Sequence, residues 1–332
     1  MPVSATSRYR IAEISSEWDD LASENPFLRR SNLAVLEETN PCDQQYHILQ
    51  QAHNRVAVVT YRHRLNCLTL GRGHLPLPVT IVGIPCSVSR CGYAPSTAQW
   101  LLEKWIPSIK GITVVLNADE SLHFQDTACH WTLPSCYLDI HWSSTSEYVA
   151  SMRSPYRRRL NRALAAWHGV NVRQLNTPQQ FDETLHALYR QVYKRSAFKL
   201  ECLDIEFFRC YRSTLHVCRA EGQAIAFFQT VGNDEELIFM FGGMDYAQRD
   251  RYDIYINLLF EIIRYAIRQG YTHLDLGQTA EEAKLRLGCR LIPKRFVAAH
   301  SNRYVNWLMK KSSGLLAYRM PMSGHTVFRG DQ

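Results

Sequence analysis

The chain has 332 residues and a formal net charge of +7, with 46% of its residues apolar and 21% charged. That balance excludes a disordered chain and leaves room for two ordinary domains or one large one. No stretch approaches the ~20 apolar residues that a bilayer crossing needs. The first ten residues, MPVSATSRYR, lack the apolar run of a signal peptide, so a cytoplasmic protein without a membrane span is expected.

In chain order, Ser15–Leu21 and Leu28–Glu38 read as helices. Tyr46–Gln50 and Arg55–Arg62 read as strands with Asn54 between them, and Leu65–Leu70 and Val79–Ile84 extend the sheet. An amphipathic helix follows over Ser96–Ile109, then a strand at Ile112–Leu116. A second part opens on the short strand Tyr137–Ile140. Ser144-x-x-Glu147 is a capping box that starts a helical stretch ending at Gly169. Val170–Leu175 is a strand, and Thr177–Gln180 opens a helix that runs to Arg195, with Pro178 at its first position. A short helix, Ile205–Tyr211, precedes three strands at Leu215–Ala220, Ala224–Val231 and Leu237–Phe241. Glu221-Gly222 and Gly232-Asn233-Asp234 supply the turns between them. An apolar helix, Tyr252–Gln269, stops at Gly270. A strand ending near Asp275, a short helix holding Lys284, and a final strand after Gly288 complete the order. The class is α/β (α+β), with lobes expected over 1–136 and 137–311 and a loosely held tail over 312–332.

Ten cysteines lie at 42, 67, 86, 91, 129, 136, 202, 210, 218 and 289, with no C-x-x-C among them. A chain this long needs no disulfide staples. Cys129-His130 near His123 is the nearest approach to a ligand cluster and lacks metal-site spacing. No metal is expected. Walker, nucleophile-elbow and dinucleotide motifs are all missing.

Four places could carry chemistry. Arg249 and Arg251, with Tyr252, stand at the entrance of the apolar helix after Gly242-Gly243. Free N–H groups flanked by arginines would suit a pyrophosphate or carboxylate, although the stretch alone favours a buried helix with a solvated entrance. Around Lys284, Thr279 can cap the short helix with Glu282 three residues on. Asp275 lies near a strand end, where α/β sites gather. The lysine could steady an anionic leaving group or oxyanion, or could simply be solvated. Arg153, Arg157, Arg158, Arg159 and Arg162 crowd one helix whose buried stripe is Tyr156, Leu160, Ala163 and Trp167, leaving a basic face for solvent or phosphate. Finally, Arg195 to Lys199 form a cationic loop that could reach a substrate or complement the helix dipole.

Several stretches resemble the FemAB-like, or BioF2-like, branch of the GNAT acyltransferase superfamily. Trp18-x-x-Leu21, Asn25-Pro26-Phe27-Leu28 and Leu36-Glu37 are similar to its opening. Tyr137-Leu138-Asp139-Ile140, then Arg158-x-x-Asn161-x-Ala163 and Gly169-Val170, are similar to its central stretch. Asp275-Leu276-Gly277 running to Lys284-x-x-x-Gly288 is similar to its terminal motif, although alanine stands before the lysine where an aromatic residue is common. The Gln/Arg-x-x-Gly-x-Gly/Ala loop of coenzyme-A-binding GNAT proteins is absent, as is the helical-hairpin arm of some Fem enzymes.

The resemblance implies two GNAT-like lobes and transfer of an activated acyl group to the amine of a small molecule or of a cell-envelope or natural-product precursor. The donor would be acyl-CoA or a carrier thioester, with aminoacyl-tRNA as the alternative, and a binding protein without turnover as a third possibility. No tightly bound cofactor and no DNA partner are implied. Lys284 would stabilise charge and Asp275 would act as base or orienting group. Arg249, Arg251 and Tyr252 would bind the donor, and Arg158, Asn161, Arg195, Lys199 and Gln278 the substrate.

Overall fold

The computed structural model describes residues 3–66, 75–86, 88–94, 97–120, 122, 124, 127–233, 235–316, 318–319 and 324–330. Expectations that fall on Cys67 to Leu70, Ser96, His123 and Asp234 lie outside these residues. The chain forms two compact units. The first comprises Met1–Leu133, Leu200–Phe207 and Pro293–Met320; the second comprises Pro134–Lys199, Phe208–Ile292 and Pro321–Gln332. The first crossing, after Leu133, lies close to the expected boundary at 136. The two later returns to the first unit were not expected.

The first unit contains β1 (Ser4–Arg8), α1 (Glu17–Leu21), α2 (Arg30–Thr39), β2 (Gln45–Gln51), β3 (Asn54–Asn66), β4 (Pro76–Val82), α3 (Trp100–Trp105), β5 (Ile112–Ala118) and β6 (Ala128–Trp131). Its sheet runs β1-β2-β3-β4-β5-β14-β6, the last insertion being made by β14 (Arg295–His300). Only β4 and β5 pair in parallel. The motif at the start of the chain has a structural cause. Trp18 is fully buried and donates its indole N–H to the Leu28 carbonyl at 2.7 Å. Asn25 accepts from the Phe27 amide and donates to the Cys91 carbonyl, while Asn32 donates to the Pro26 carbonyl. Each polar group that this turn buries thereby keeps a partner.

The second unit begins with β7 (Ser135–Asp139), α4 (Thr145–Ser151), α5 (Ser154–Ala166), β8 (Asn171–Gln174) and α6 (Glu183–Arg195). α7 (Ile205–Cys210) straddles the return from the first unit at Phe207, and then come β9 (Thr214–Ala220), β10 (Gln223–Gly232), β11 (Glu236–Met244), α8 (Ile254–Gln269), β12 (His273–Asp275), α9 (Glu281–Leu285) and β13 (Arg290–Ile292). The strand order is β13-β7-β12-β11-β10-β9-β8, and again a single pair, β11 with β12, is parallel. Each unit therefore carries antiparallel strands followed by a helix and a parallel return, the mixed α/β class expected.

Helix α8 is the spine of this unit. Leu258, Leu259, Ile262 and Ile263 are each at most 2% exposed, and burial of each contributes about 1.5–3 kcal/mol. Its polar Asn257 is buried too, donating to the carbonyls of Ala163, Tyr252 and Asp253, which ties the helix entrance to α5. On α5 itself, Leu160, Ala163 and Trp167 are buried and Tyr156 half-buried, the stripe its spacing predicts.

Several boundaries differ from expectation for physical reasons. α8 starts at Ile254, because Asp245 to Tyr252 coil through successive turns and Asp253 is left-handed, with φ 42°. Gly242 and Gly243 lie inside β11 and do not end it. α6 starts at Glu183, where Asp182 accepts from the Leu185 amide, and Pro178–Gln180 is a separate turn. The tail is docked over residues 324–330. Val327 is buried, its carbonyl accepts from the Arg153 amide, and Phe328 packs on Trp142 and Tyr148. Among the described residues no helix is long and apolar enough to cross a membrane.

Candidate active site

The second sheet opens like a fork. β11 and β12 pair through Glu236↔His273, Leu237↔Leu274 and Ile238↔Asp275, and there β12 ends while β11 runs on to Met244. β11 is irregular just beyond this point. Across β10, Thr230 faces Phe239 and Gln229 faces Phe241, so Met240 is an extra residue. Such a bulge bends its strand and increases its twist. The opening therefore lies at the C-terminal ends of two parallel strands, where α/β proteins place their ligands.

The loop after β12 forms one prong. Asp275 is 2% exposed and accepts from the Gly277 amide at 2.7 Å, which fixes the turn. Gly277, Thr279 and Ala280 are all left-handed, with φ of 71°, 64° and 51°. For the two that carry a Cβ this is strained backbone. Thr279 therefore does not cap α9 as expected; Ala280 occupies that position and makes no side-chain cap. Lys284 holds the loop from below. Its ammonium, 2% exposed, donates to the Gly277 carbonyl at 3.2 Å and the Gln278 carbonyl at 2.8 Å. Burial lowers its pKa below the ordinary lysine value, while the thiols of Cys136 and Cys289 and the carboxylates of Asp275 and Glu281 oppose that shift. Those thiols are not nucleophiles, because burial pushes Cys136 up to about 11 and Cys289 well above the ordinary value.

The other prong leads from β11 into α8. Here the structure brings together two arginines that the sequence kept apart. The Arg195 guanidinium lies 4.1 Å from the centre of the Tyr246 ring and that of Arg249 lies 6.0 Å from it. Gln191 on α6 fixes the same residue by accepting from the Tyr246 amide. Close approach of α6 to β11 depends on Gly243, where a Cβ would stand 2.7 Å from the Tyr189 nitrogen. Arg249 also pairs with Asp250 at 2.8 Å, and Arg251 with Glu221 at 2.6 Å. Tyr252 is a correction: it is buried in the core under the Arg251 guanidinium and is not presented at the entrance.

Arg158 and Asn161 sit on the exposed face of α5, and Lys199 is exposed in the loop after α6. Gln278 belongs to the strained loop and is half-buried. Tyr255 packs against the core of this unit. It stands in the first turn of α8, half-buried, within electrostatic reach of Cys136, Glu281, Cys289 and Tyr246. Burial raises its pKa well above the ordinary tyrosine value and keeps the phenol protonated.

Residues 150–285, from the end of α4 through Lys284, match the family model described as the acetyltransferase (GNAT) domain. That stretch, most of it in the second unit, is similar to a GNAT domain. The fold extends the likeness to the whole chain. FemX is similar with a TM-score of 0.55 at 11% identity, over 88% of this chain and 96% of that one. The C-terminal domain of a putative lysylphosphatidylglycerol synthetase from Agrobacterium fabrum gives 0.54 at 10%, over 91% and 97%. A conserved protein of unknown function from Bacteroides thetaiotaomicron gives 0.53 at 12%, over 86% and 97%. At these identities the likeness is one of fold. No curated protein sequence matches the chain. The GNAT match contains the fork, the strained loop and the Tyr246 stack together.

Proposed function

We propose that the protein is an N-acyltransferase that moves an activated acyl group from a phosphopantetheine thioester to the amine of a small molecule. The fork carries this reading. Beyond Ile238, β11 presents an edge on which no described strand lies, so an extended chain bearing amides can add to it as a strand would. A pantetheine arm has two amides and ends in the thioester. Arg195 and Arg249, gathered on Tyr246, would meet its phosphates.

Chemistry at the mouth of the fork needs charge stabilisation on the thioester oxygen and a proton for the departing sulfur. Lys284 acts through the peptide groups that it binds. A cation on the carbonyls of Gly277 and Gln278 polarises the same peptides' N–H groups, those of Gln278 and Thr279, and makes them stronger donors. It is a positioning residue in this scheme, and Asp275 holds the same turn. Tyr255, protonated and within electrostatic reach of Cys136 and Glu281, is the candidate acid.

A second reading is aminoacyl-tRNA-dependent transfer to an amine. It is supported by the exposed arginines of α5 and by the carboxylates that already engage Arg249 and Arg251. Titration calorimetry of the protein with acetyl-CoA and longer acyl-CoAs, beside charged tRNA, separates the two. Saturable acyl-CoA binding weakened about tenfold by Arg195→Ala supports the thioester. Silence with every CoA, together with tRNA binding that falls steeply with salt, overturns it in favour of the second reading.

A further inference from the structure

Among the described residues six large apolar or aromatic side chains are exposed, and four of them share one helix in the first unit. That helix is α10 (Arg303–Ser312). Tyr304 is 77% exposed, Trp307 and Leu308 60% each, and Val305 40%. The helix is not a fraying end. Asn302 caps it by accepting from the Tyr304 and Val305 amides, and Asn306 faces inward, accepting from the His300 amide. Met309 is half-buried on the same inner face. At 100° per residue the four exposed side chains sweep about half of the outer surface. Arg303 and Lys310 border Trp307, and Lys311 projects between Trp307 and Tyr304.

Charge decides what can cover this face. Pro293–Met320 holds six Lys and Arg residues and no Asp or Glu, and three of the six are on α10 itself. A second copy docking through the same face would bring basic side chains onto basic side chains. An uncharged apolar partner would desolvate Arg303 and Lys311 without offering them an anion. A surface that is apolar beneath and anionic above satisfies both. Indole and phenol rings settle at the headgroup level, aliphatic side chains lie below them, and lysines reach up to phosphates.

We infer that α10 is an interfacial helix that docks the protein on an anionic lipid surface, without crossing it. Trp307, Leu308 and Tyr304 enter the headgroup boundary, and Arg303, Lys310 and Lys311 contact lipid phosphates. The docking is independent of the acyl donor and concerns the unit that does not carry the GNAT match.

Co-sedimentation of the full chain with vesicles tests it. One set holds equal parts phosphatidylglycerol and phosphatidylcholine, and the other phosphatidylcholine alone, both at about 0.1 M salt. The protein is expected to sediment with the anionic set only. A Trp307→Ser/Leu308→Ser variant should bind at least about tenfold more weakly, and Lys310→Glu/Lys311→Glu should lose the preference for anionic vesicles. All four positions are exposed, so an unchanged circular dichroism spectrum and melting temperature confirm the fold. Failure of the wild type to sediment with anionic vesicles overturns the inference, as does equal sedimentation of the Trp307→Ser/Leu308→Ser variant. Sedimentation velocity showing a dimer that this variant turns into a monomer would assign the face to a second copy and overturn it as well.

Discussion

Gly243→Ala tests whether the packing behind the fork is as close as it looks. Gly243 faces Phe227 across the strand pair and lies under α6. A Cβ there would meet the Phe227 ring at 2.3 Å, the Tyr189 nitrogen at 2.7 Å and the Leu188 carbonyl carbon at 2.8 Å. A phenyl ring can turn aside, but two backbone atoms of a helix cannot. Restoring a 3.4 Å contact requires α6 to retreat by about 0.7 Å, and a close-packed interior resists such a shift. Overpacking of this kind costs about 2–3 kcal/mol. Gly242→Ala is the internal control, because its Cβ would meet neighbours only at 3.2–3.3 Å, and its cost should stay below about 1 kcal/mol. Urea unfolding followed by circular dichroism measures both, with the midpoint falling and the slope unchanged for Gly243→Ala. Because α6 carries Arg195 and Gln191, the same variant should weaken donor binding. A Gly243→Ala protein within about 0.5 kcal/mol of the wild type, or one no worse than Gly242→Ala, refutes the reasoning.

Two further predictions concern stability. His216 on β9 is 4% exposed, stacked on Phe228 at 4.5 Å and edge-on to Tyr265 at 4.6 Å, with Arg268 nearby. Burial lowers its pKa to about 4. A histidine kept neutral contributes stability above its unfolded value near 6.5 and loses it as pH falls toward 4, an effect of up to about 3 kcal/mol. His216→Phe should flatten the fall in melting temperature between pH 7 and 4.5, and an unchanged slope refutes this. Ala280→Gly should relieve the left-handed backbone at the start of α9. It is expected to raise stability by about 0.5–1 kcal/mol after the added freedom of the unfolded chain is counted; a loss of stability would show that Ala280 is not strained.

What the sequence made legible was local. The Ser144 hydroxyl does accept from the Glu147 amide, with the Glu147 carboxylate turned back to Ser143. Gly270 does end α8, left-handed at φ 78°. These signals act over one turn of chain, and periodicity recovered the α5 and α8 stripes for the same reason. Sheet membership is different. β14 inserts between β5 and β6, strands more than 160 residues earlier in the chain. Nothing in Arg295 to His300 alone names those partners. The site was half legible. Lys284, Asp275, Arg195 and Arg249 were singled out by residue type, yet the bulge at Met240 and the fork depend on a register between strands that no local pattern encodes. Tyr252 is buried; the helix was expected to begin there, and residues 245–253 are instead a run of turns.

Lys284 is the residue on which structure and proposed chemistry meet most closely, and its two roles are separable. Its ammonium has three N–H donors, and two are used on the Gly277 and Gln278 carbonyls. Hydrogen bonds from a charged group contribute about 1.5–3 kcal/mol each. Lys284→Met therefore forfeits about 3–6 kcal/mol and regains much of it by no longer burying a cation, for a net loss of about 1–3 kcal/mol. The sign of the pH dependence separates this from ordinary packing. With its folded pKa lowered, the wild-type lysine binds fewer protons folded than unfolded, from that lowered value up to about 10.5. Its contribution therefore grows with pH across that window. The stability gap between wild type and Lys284→Met should be wider at pH 9.5 than at 7.5. In acyl transfer the same variant should lose about 100-fold in kcat with little change in KM, as for loss of an oxyanion donor. Lys284→Arg, which keeps the charge but not the point geometry, should recover part of it. Equal loss in both variants, with a stability gap that does not widen with pH, would reduce Lys284 to a structural brace. The charge for the reaction would then have to come from the arginines on Tyr246.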